Sequence, residues 1–287
     1  MDTVLKSERV TLTIGSNRPT VLVGERINPT GRKRLAEALG KGDLGIVRTE
    51  ALSQVEAGAD VLDINVGAAG VNEVALLPEA VRLVAESVDV PICMDSADAK
   101  ALRAALTAYR SIAPHAKPLI NSVNGDEARL NQILPLVAEH KTAVIGLTMD
   151  ETGIPATAQQ RLEVARKIVE RAESLGIPRE DVIIDCLALT VGADSRAALV
   201  TLDAIRMVHE ELGVNLTLGA SNVSFGLPDR EIVNWAYLIT AISLGVNCPI
   251  VDVAKVRAIV LAEDLILGRD NYAMRYLKAY KKRAKGL

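Results

Sequence analysis

"AVIGLTMDETGIPATAQQRLEVARKIVERAESLGIPREDVIID", residues 143–185, holds in one stretch the unit from which the chain is built. It opens on an apolar, β-branched run, Ala143 to Thr148, and closes on another, Asp181 to Asp185. Between them Leu162, Ala165, Ile168, Val169 and Ala172 recur at steps of three and four, which puts their side chains on one stripe of an α-helix. Gly176 stands just past the last of them, where a helix is expected to stop. Strands this apolar are expected to be buried on both faces, and a strand, helix and strand in succession place the two strands parallel.

The alternation extends in both directions. Before this unit lie "VLVG" from Val21, "DVLDINV" from Asp60, "PICMD" ending at Asp95 and "PLIN" ending at Asn121; after it come "VNLTLG" ending at Gly219 and "CPIVDV" from Cys248. Eight such strands alternating with helices predict an α/β fold, a (β/α)8 TIM barrel forming a single domain over residues 1–287, with a doubly wound open sheet as the competing arrangement. Ahead of the barrel a short N-terminal hairpin is expected, from "RVTLTI" through "GSNRP" to "TVLVG". The basic tail "LKAYKKRAKGL" reads as the end of a solvated helix.

Apolar residues make up 49% of the chain and the net charge is −3, so a sizeable core is available and no long-range attraction to nucleic acid is expected. The first residues have no apolar core or cleavage pattern, and no apolar run is long enough to span a bilayer. A soluble, cytoplasmic protein is the expectation. Cys93, Cys186 and Cys248 are far apart and form no CxxC pair, which points to buried strand residues rather than a disulfide or metal site.

In a barrel of this kind the carboxyl ends of the strands build the site. The residues found there are Asn28, Asp63, Asn65, Asp95, Asn121, Asp185, Ser221, Asn222 and Asp252. Singly, such residues serve as helix caps and turn formers. Together in one mouth they suit a ligand rich in N–H donors and carbonyl acceptors. His115, His140 and His209 fall away from the strand ends, so neither a Ser/His/Asp arrangement nor a histidine metal site is assembled. Lys255, near the last strand, reads as a helix-start residue rather than a Schiff-base lysine. "GKGDLG", Gly40 to Gly45, matches a dinucleotide fingerprint in letters, but a helical segment precedes it, so it reads as a break between helices.

The motifs "GERINPTG" from Gly24, "LDINVG" from Leu62, "CMDSAD" from Cys93, "INSVNG" from Ile120, "IGLTMDETGIP" from Ile145, "IIDCL" from Ile183 and "GASNVSFG" from Gly219 occur in this order, nearly all along the chain. Together they resemble the pterin-binding methyltransferases, which move a methyl group between N5 of tetrahydrofolate and the cobalt of a corrinoid protein. The resemblance implies a (β/α)8 barrel in which Asp95, Asn121 and Asp185 hold the polar edge of the pterin. Gly219 and Ser221 would shape the pocket wall, and Asn28, Asp63 and Asn65 would give support or secondary contacts. Asn222 would sit beside N5 as the catalytic residue, its amide able to donate or accept a hydrogen bond as the charge on N5 changes. Tetrahydrofolate or 5-methyltetrahydrofolate is then the substrate. The cobalamin or other corrinoid is expected on a separate partner protein, since no DxHxxG pattern occurs here. The charged loops "DETG" and "LPDR" are candidates for the docking rim, and a homodimer is implied by the resemblance alone. Dihydropteroate synthase, with its similar "INPT" opening, and a noncatalytic pterin or folate carrier are the alternatives. The lysine loop and Ser-x-Arg feature of the synthase are not seen after "VNLTLG", where this chain has "GASNVS".

Overall fold

The computed structural model describes residues 1–284. A two-stranded antiparallel hairpin, β1 (Asp2–Lys6) and β2 (Thr11–Gly15), precedes an eight-stranded sheet. The sheet strands are β3 (Val23–Ile27), β4 (Val61–Asn65), β5 (Ile92–Asp95), β6 (Leu119–Asn124), β7 (Ala143–Leu147), β8 (Val182–Asp185), β9 (Asn215–Thr217) and β10 (Ile250–Val251). They are parallel and follow one another in chain order from β3 to β9, while β10 pairs with β3. Parallel bridges from Leu216 to Val246 and from Gly219 to Ile250 join the last two strands and close the ring. The expected barrel is therefore the observed one.

Its helices are α1 (Lys33–Gly40), α2 (Gly45–Ala57), α3 (Glu73–Ser87), α4 (Ala99–Ile112), α5 (Glu127–His140), α6 (Ala158–Ser174), α7 (Ala197–Leu212), α8 (Arg230–Ser243), α9 (Val253–Ile266) and α10 (Met274–Ala284). Side chains of Asp98, Asp126 and Thr157 accept the N–H groups of Lys100, Arg129 and Gln160, satisfying donors that the first turns of α4, α5 and α6 leave open. The "GKGDLG" segment lies between α1 and α2 and turns through Gly42 at φ 71°, a backbone that glycine adopts without strain. Of the "LKAYKKRAKGL" tail, the part within α10 is solvated as expected; its last three residues lie outside the described residues.

The strand periodicity of two separates the core into two bodies. Leu62, Ile64, Ile92, Met94, Ile120, Val144, Ile184 and Leu216 point outward and pack beneath the helices. Val23, Val61, Cys93, Leu119, Ala143, Ile145, Ile183 and Cys248 point inward and fill the barrel, while Cys186 lies in the outer body, so the three cysteines are all buried. Two residues further along four of these inward rows come Glu25, Asp63, Asp95 and Asn121, and Asp185 follows Ile183 in the same way. An apolar barrel floor thus carries a polar mouth.

The hairpin closes the other end. Its Leu5 and Ile14 are completely buried in the inward-facing cluster, and Lys6 and Lys117 exchange backbone hydrogen bonds of 3.0 Å. Asn215, on β9, donates to Thr3 Oγ1 at 2.8 Å and to the Ile14 carbonyl at 3.2 Å. This corrects the expected pairing: "RVTLTI" pairs with the chain before it, while "TVLVG" enters the barrel. Thr3, Leu5 and Ile14 point into the barrel bottom, which gives the first residues a buried surface to pair over.

Candidate active site

Two hydrogen-bonded pairs stand at the center of the mouth. Asn65 donates through Nδ2 to Asp95 Oδ2 at 2.8 Å, and its own Oδ1 accepts the Gly67 N–H at 2.8 Å. Asn121 donates through Nδ2 to Asp63 Oδ1 at 3.2 Å. Register explains the first pairing, because Asn65, Asp95 and Asn121 lie side by side on β4, β5 and β6. Asp63 lies one layer deeper, only 2% exposed. Burial, then the neighbouring Asp95 charge, pushes its carboxyl well above the usual range. Burial raises Asp95 to about 6 as well, against the opposing hydrogen bond from Asn65.

Asp185, at the end of β8, is 7% exposed and is pushed up to about 6 by burial. The Leu187 N–H donates to its Oδ1 at 2.7 Å, and the Gly219 N–H also favours the charged form of the carboxylate. It therefore pins the start of the loop after β8. Asn222 is exposed on the short 3-10 turn Ala220–Ser224 of that second loop. A Cβ placed on Gly219 would lie 3.2 Å from Asn222 Nδ2, so the glycine leaves room for the amide to fold back toward the mouth. Asn28 caps its own turn, accepting the Thr30 N–H at 3.0 Å. It shares the rim with the other predicted residues without bonding to them.

Four further residues were not among the sequence candidates. Glu25, inward-facing on β3, is pushed up to about 7, first by burial and next by Asp252; Arg26 and then Ser221 oppose the shift. It is two positions beyond inward-facing Val23, and that period was the signal available for it. Arg230 donates to the Ser221 carbonyl at 2.7 Å and to Ser224 Oγ at 3.0 Å, and its guanidinium lies 5.8 Å from the Phe225 ring centroid. The basic residue of the "LPDR" loop thus clamps the turn bearing Asn222. Arg129 holds the carbonyls of Ser96 at 3.0 Å and Ser122 at 2.9 Å, tying the loop after β5 to strand β6. Arg161 does the same for the loop after β8. Lys255 starts α9, exposed and paired with Glu231, as a helix-start residue.

The geometry is a ring of desolvated carboxylates and amides with one exposed amide at its edge. Comparison with known proteins decides its family: the profile of the pterin binding enzymes matches residues 24–252. This chain belongs to the pterin binding enzymes.

Among its relatives, this pterin binding enzyme is 28% identical to the methylcorrinoid:tetrahydrofolate methyltransferase of Eubacterium limosum over 91% of this chain and 96% of that protein. It is 33% identical to the methionine synthase of Mycobacterium leprae over 84% of this chain, which spans only 21% of the synthase. Its fold resembles the dihydropteroate synthase of Yersinia pestis, with a TM-score of 0.68 at 19% identity, covering 93% of this chain and 99% of that one. The dihydropteroate synthase of Xanthomonas albilineans in complex with 7,8-dihydropteroate aligns with a TM-score of 0.64 at 22% identity, covering 92% and 98%. The last two likenesses concern architecture. Among the described residues no helix is long and apolar enough to cross a membrane.

Proposed function

We propose that this pterin binding enzyme transfers a methyl group between N5 of tetrahydrofolate and the cobalt of a corrinoid carried by a separate protein. The observation that carries the reading is Asp185, a nearly buried carboxylate at the mouth of the barrel that among the described residues accepts one hydrogen bond, from the Leu187 N–H. An ionised carboxylate offers about four acceptor positions, so unused capacity remains. The paired N–H donors on the 2-amino-4-oxo edge of a pterin fill it in a fork-like geometry. Asn121 supplies a group that both donates and accepts, and Asp95 a second carboxylate on the same rim. The relation to the methylcorrinoid:tetrahydrofolate methyltransferase, which extends over nearly all of both chains, supports the choice of reaction.

With the ring held at that edge, N5 falls toward the turn bearing Asn222. A methyl group leaving or joining N5 changes the charge on that nitrogen, and the Asn222 amide answers by offering its NH2 to one state and its oxygen to the other. Ser221 and Arg230 fix the turn from behind. The corrinoid supplies a cobalt that accepts or yields the methyl group. This chain's part is to present N5 at an open rim. One transition state serves both directions, so supply of substrate sets the flux. The homodimer belongs to the same proposal and is checked by sedimentation.

The test is methyl exchange between 5-methyltetrahydrofolate and free Co(I) cobalamin, followed by the cobalt spectrum. Turnover is expected. Binding without turnover would identify a carrier, and condensation of a pterin pyrophosphate with p-aminobenzoate to a dihydropteroate, with release of pyrophosphate, would identify a synthase.

A further inference from the structure

Arg161 interrupts the apolar stripe of α6. It stands four positions before Ala165 and seven before Ile168, on the buried face, and is 1% exposed. Its partners are carbonyls and a hydroxyl rather than carboxylates: Pro155 O at 3.0 Å, Cys186 O at 2.8 Å, Leu187 O at 3.0 Å and Thr201 Oγ1 at 2.9 Å. A buried cation is costly to retain where an aliphatic residue would continue the stripe. The peptide it grips indicates what it does there. Leu187 has a φ of 59°, in the left-handed region that a branched side chain rarely enters. The carbonyl of Leu187 is held by Arg161 and by the Thr201 hydroxyl at 3.1 Å, while the N–H of the same residue donates to Asp185 Oδ1 at 2.7 Å.

We propose that Arg161 is a positioning residue for Asp185: it locks the Cys186–Leu187 turn and provides the buried positive charge that keeps Asp185 a carboxylate aimed into the mouth. The role in ligand binding rests on the function proposed above; the electrostatic link does not. The other titratable groups facing Asp185 are Cys186 next to it, Cys248 ahead of β10 and Tyr237 on α8. Burial pushes all three upward, so they stay neutral across the range where Asp185 titrates. The Leu187 and Gly219 N–H groups oppose the effect of burial first, and Arg161, the cation among the groups acting on Asp185, adds to them both directly and by holding the Leu187 turn.

Two readouts on purified Arg161→Met and Arg161→Lys separate this from a merely structural role. The first follows Asp185 in ligand-free protein by carbon-13 NMR of labelled aspartates, with Asp185→Asn used for assignment. The wild-type midpoint is expected at about 6. Loss of the neighbouring cation should raise it by about one pH unit or more in Arg161→Met. In Arg161→Lys, which keeps the charge without the fork of donors, the rise should be smaller. The second is calorimetric binding of 5-methyltetrahydrofolate from pH 5 to 8.5. The loss of affinity on acidification should move upward with the NMR midpoint, while kcat at saturating folate and pH 8.5 stays within about threefold. An unchanged Asp185 midpoint in a folded Arg161→Met would overturn the inference. If that variant does not fold, Thr201→Val removes one partner of the clamp and should raise the midpoint by less, in the same direction; no rise there overturns it equally. Wild-type protein that binds no folate while its NMR midpoint still depends on Arg161 would refute the proposed function and leave the electrostatic link standing.

Discussion

At the scale of single residues, the mouth is held in a state that costs stability and favors binding. Glu25 has a folded-state pKa of about 7 against an ordinary 4.5, so between those values the native protein holds a proton that the unfolded chain has lost. Its contribution to stability is present on the acid side and lost as pH rises through about 7. Glu25→Gln should therefore raise stability at pH 8 by about 1–3 kcal/mol, with the gain vanishing near pH 4, as urea denaturation at the two pH values will measure. Asp185→Ala removes the fork for the N–H donors and should chiefly weaken folate binding, by calorimetry, with a smaller effect on kcat. Asn222→Ala should leave the folate Kd within a few-fold and slow methyl transfer by about 10²–10³, the loss associated with one aimed hydrogen-bonding group. Equal rates for Asn222→Ala and wild type would remove that residue from the chemistry. Asp95, Asn121 and Asp185 were legible as mouth residues because polar residues closing apolar runs stand out, and Asn222 through the motif "GASNVSFG". Glu25 was not, since a charged residue within a strand segment declares its direction only once the register from Val23 is known.

At the scale of elements, the hairpin and the strand interiors carry the shape. Leu5 is completely buried at the barrel bottom, far along the chain from the strand ends that form the mouth. Leu5→Ala should cost about 2–5 kcal/mol in urea denaturation while the folate Kd is unchanged. On β7, a Cβ at Gly146 would meet Ile168 Cγ2 at 2.9 Å and Ile184 Cδ1 at 3.0 Å. The close approach of strand to α6 requires the glycine there, and overpacking by a methyl group costs about 1–3 kcal/mol in such settings. The alternation of strand and helix could be read directly, because helical stripes and β-branched runs have different periods. The hairpin partner could not: "RVTLTI" is equally able to pair with the run before or after it. The choice is made by Asn215, Thr3 and Ile14, which meet only when the barrel closes.

At the scale of the whole molecule, one barrel separates its two tasks by height. Inward-facing apolar rows and the plugging hairpin stabilise the lower end, and the same rows end above in carboxylates and amides. A closed ring was predictable from eight alternating units, whereas the arginine clamps were not, since Arg129, Arg161 and Arg230 act on main-chain carbonyls, which leave no mark in the side-chain pattern. Arg161 left a trace, a charge on an apolar stripe. The central claim is that the separate Asp and Asn side chains of this rim grip one flat heterocycle with N5 at the Asn222 turn. The most direct measurement is a crystal structure with 5-methyltetrahydrofolate bound. The predicted result is the pterin edge within hydrogen-bond distance of Asp95, Asn121 and Asp185, and the Asn222 amide beside N5. A folate bound elsewhere, or in this mouth with N5 turned away from Asn222, would contradict it.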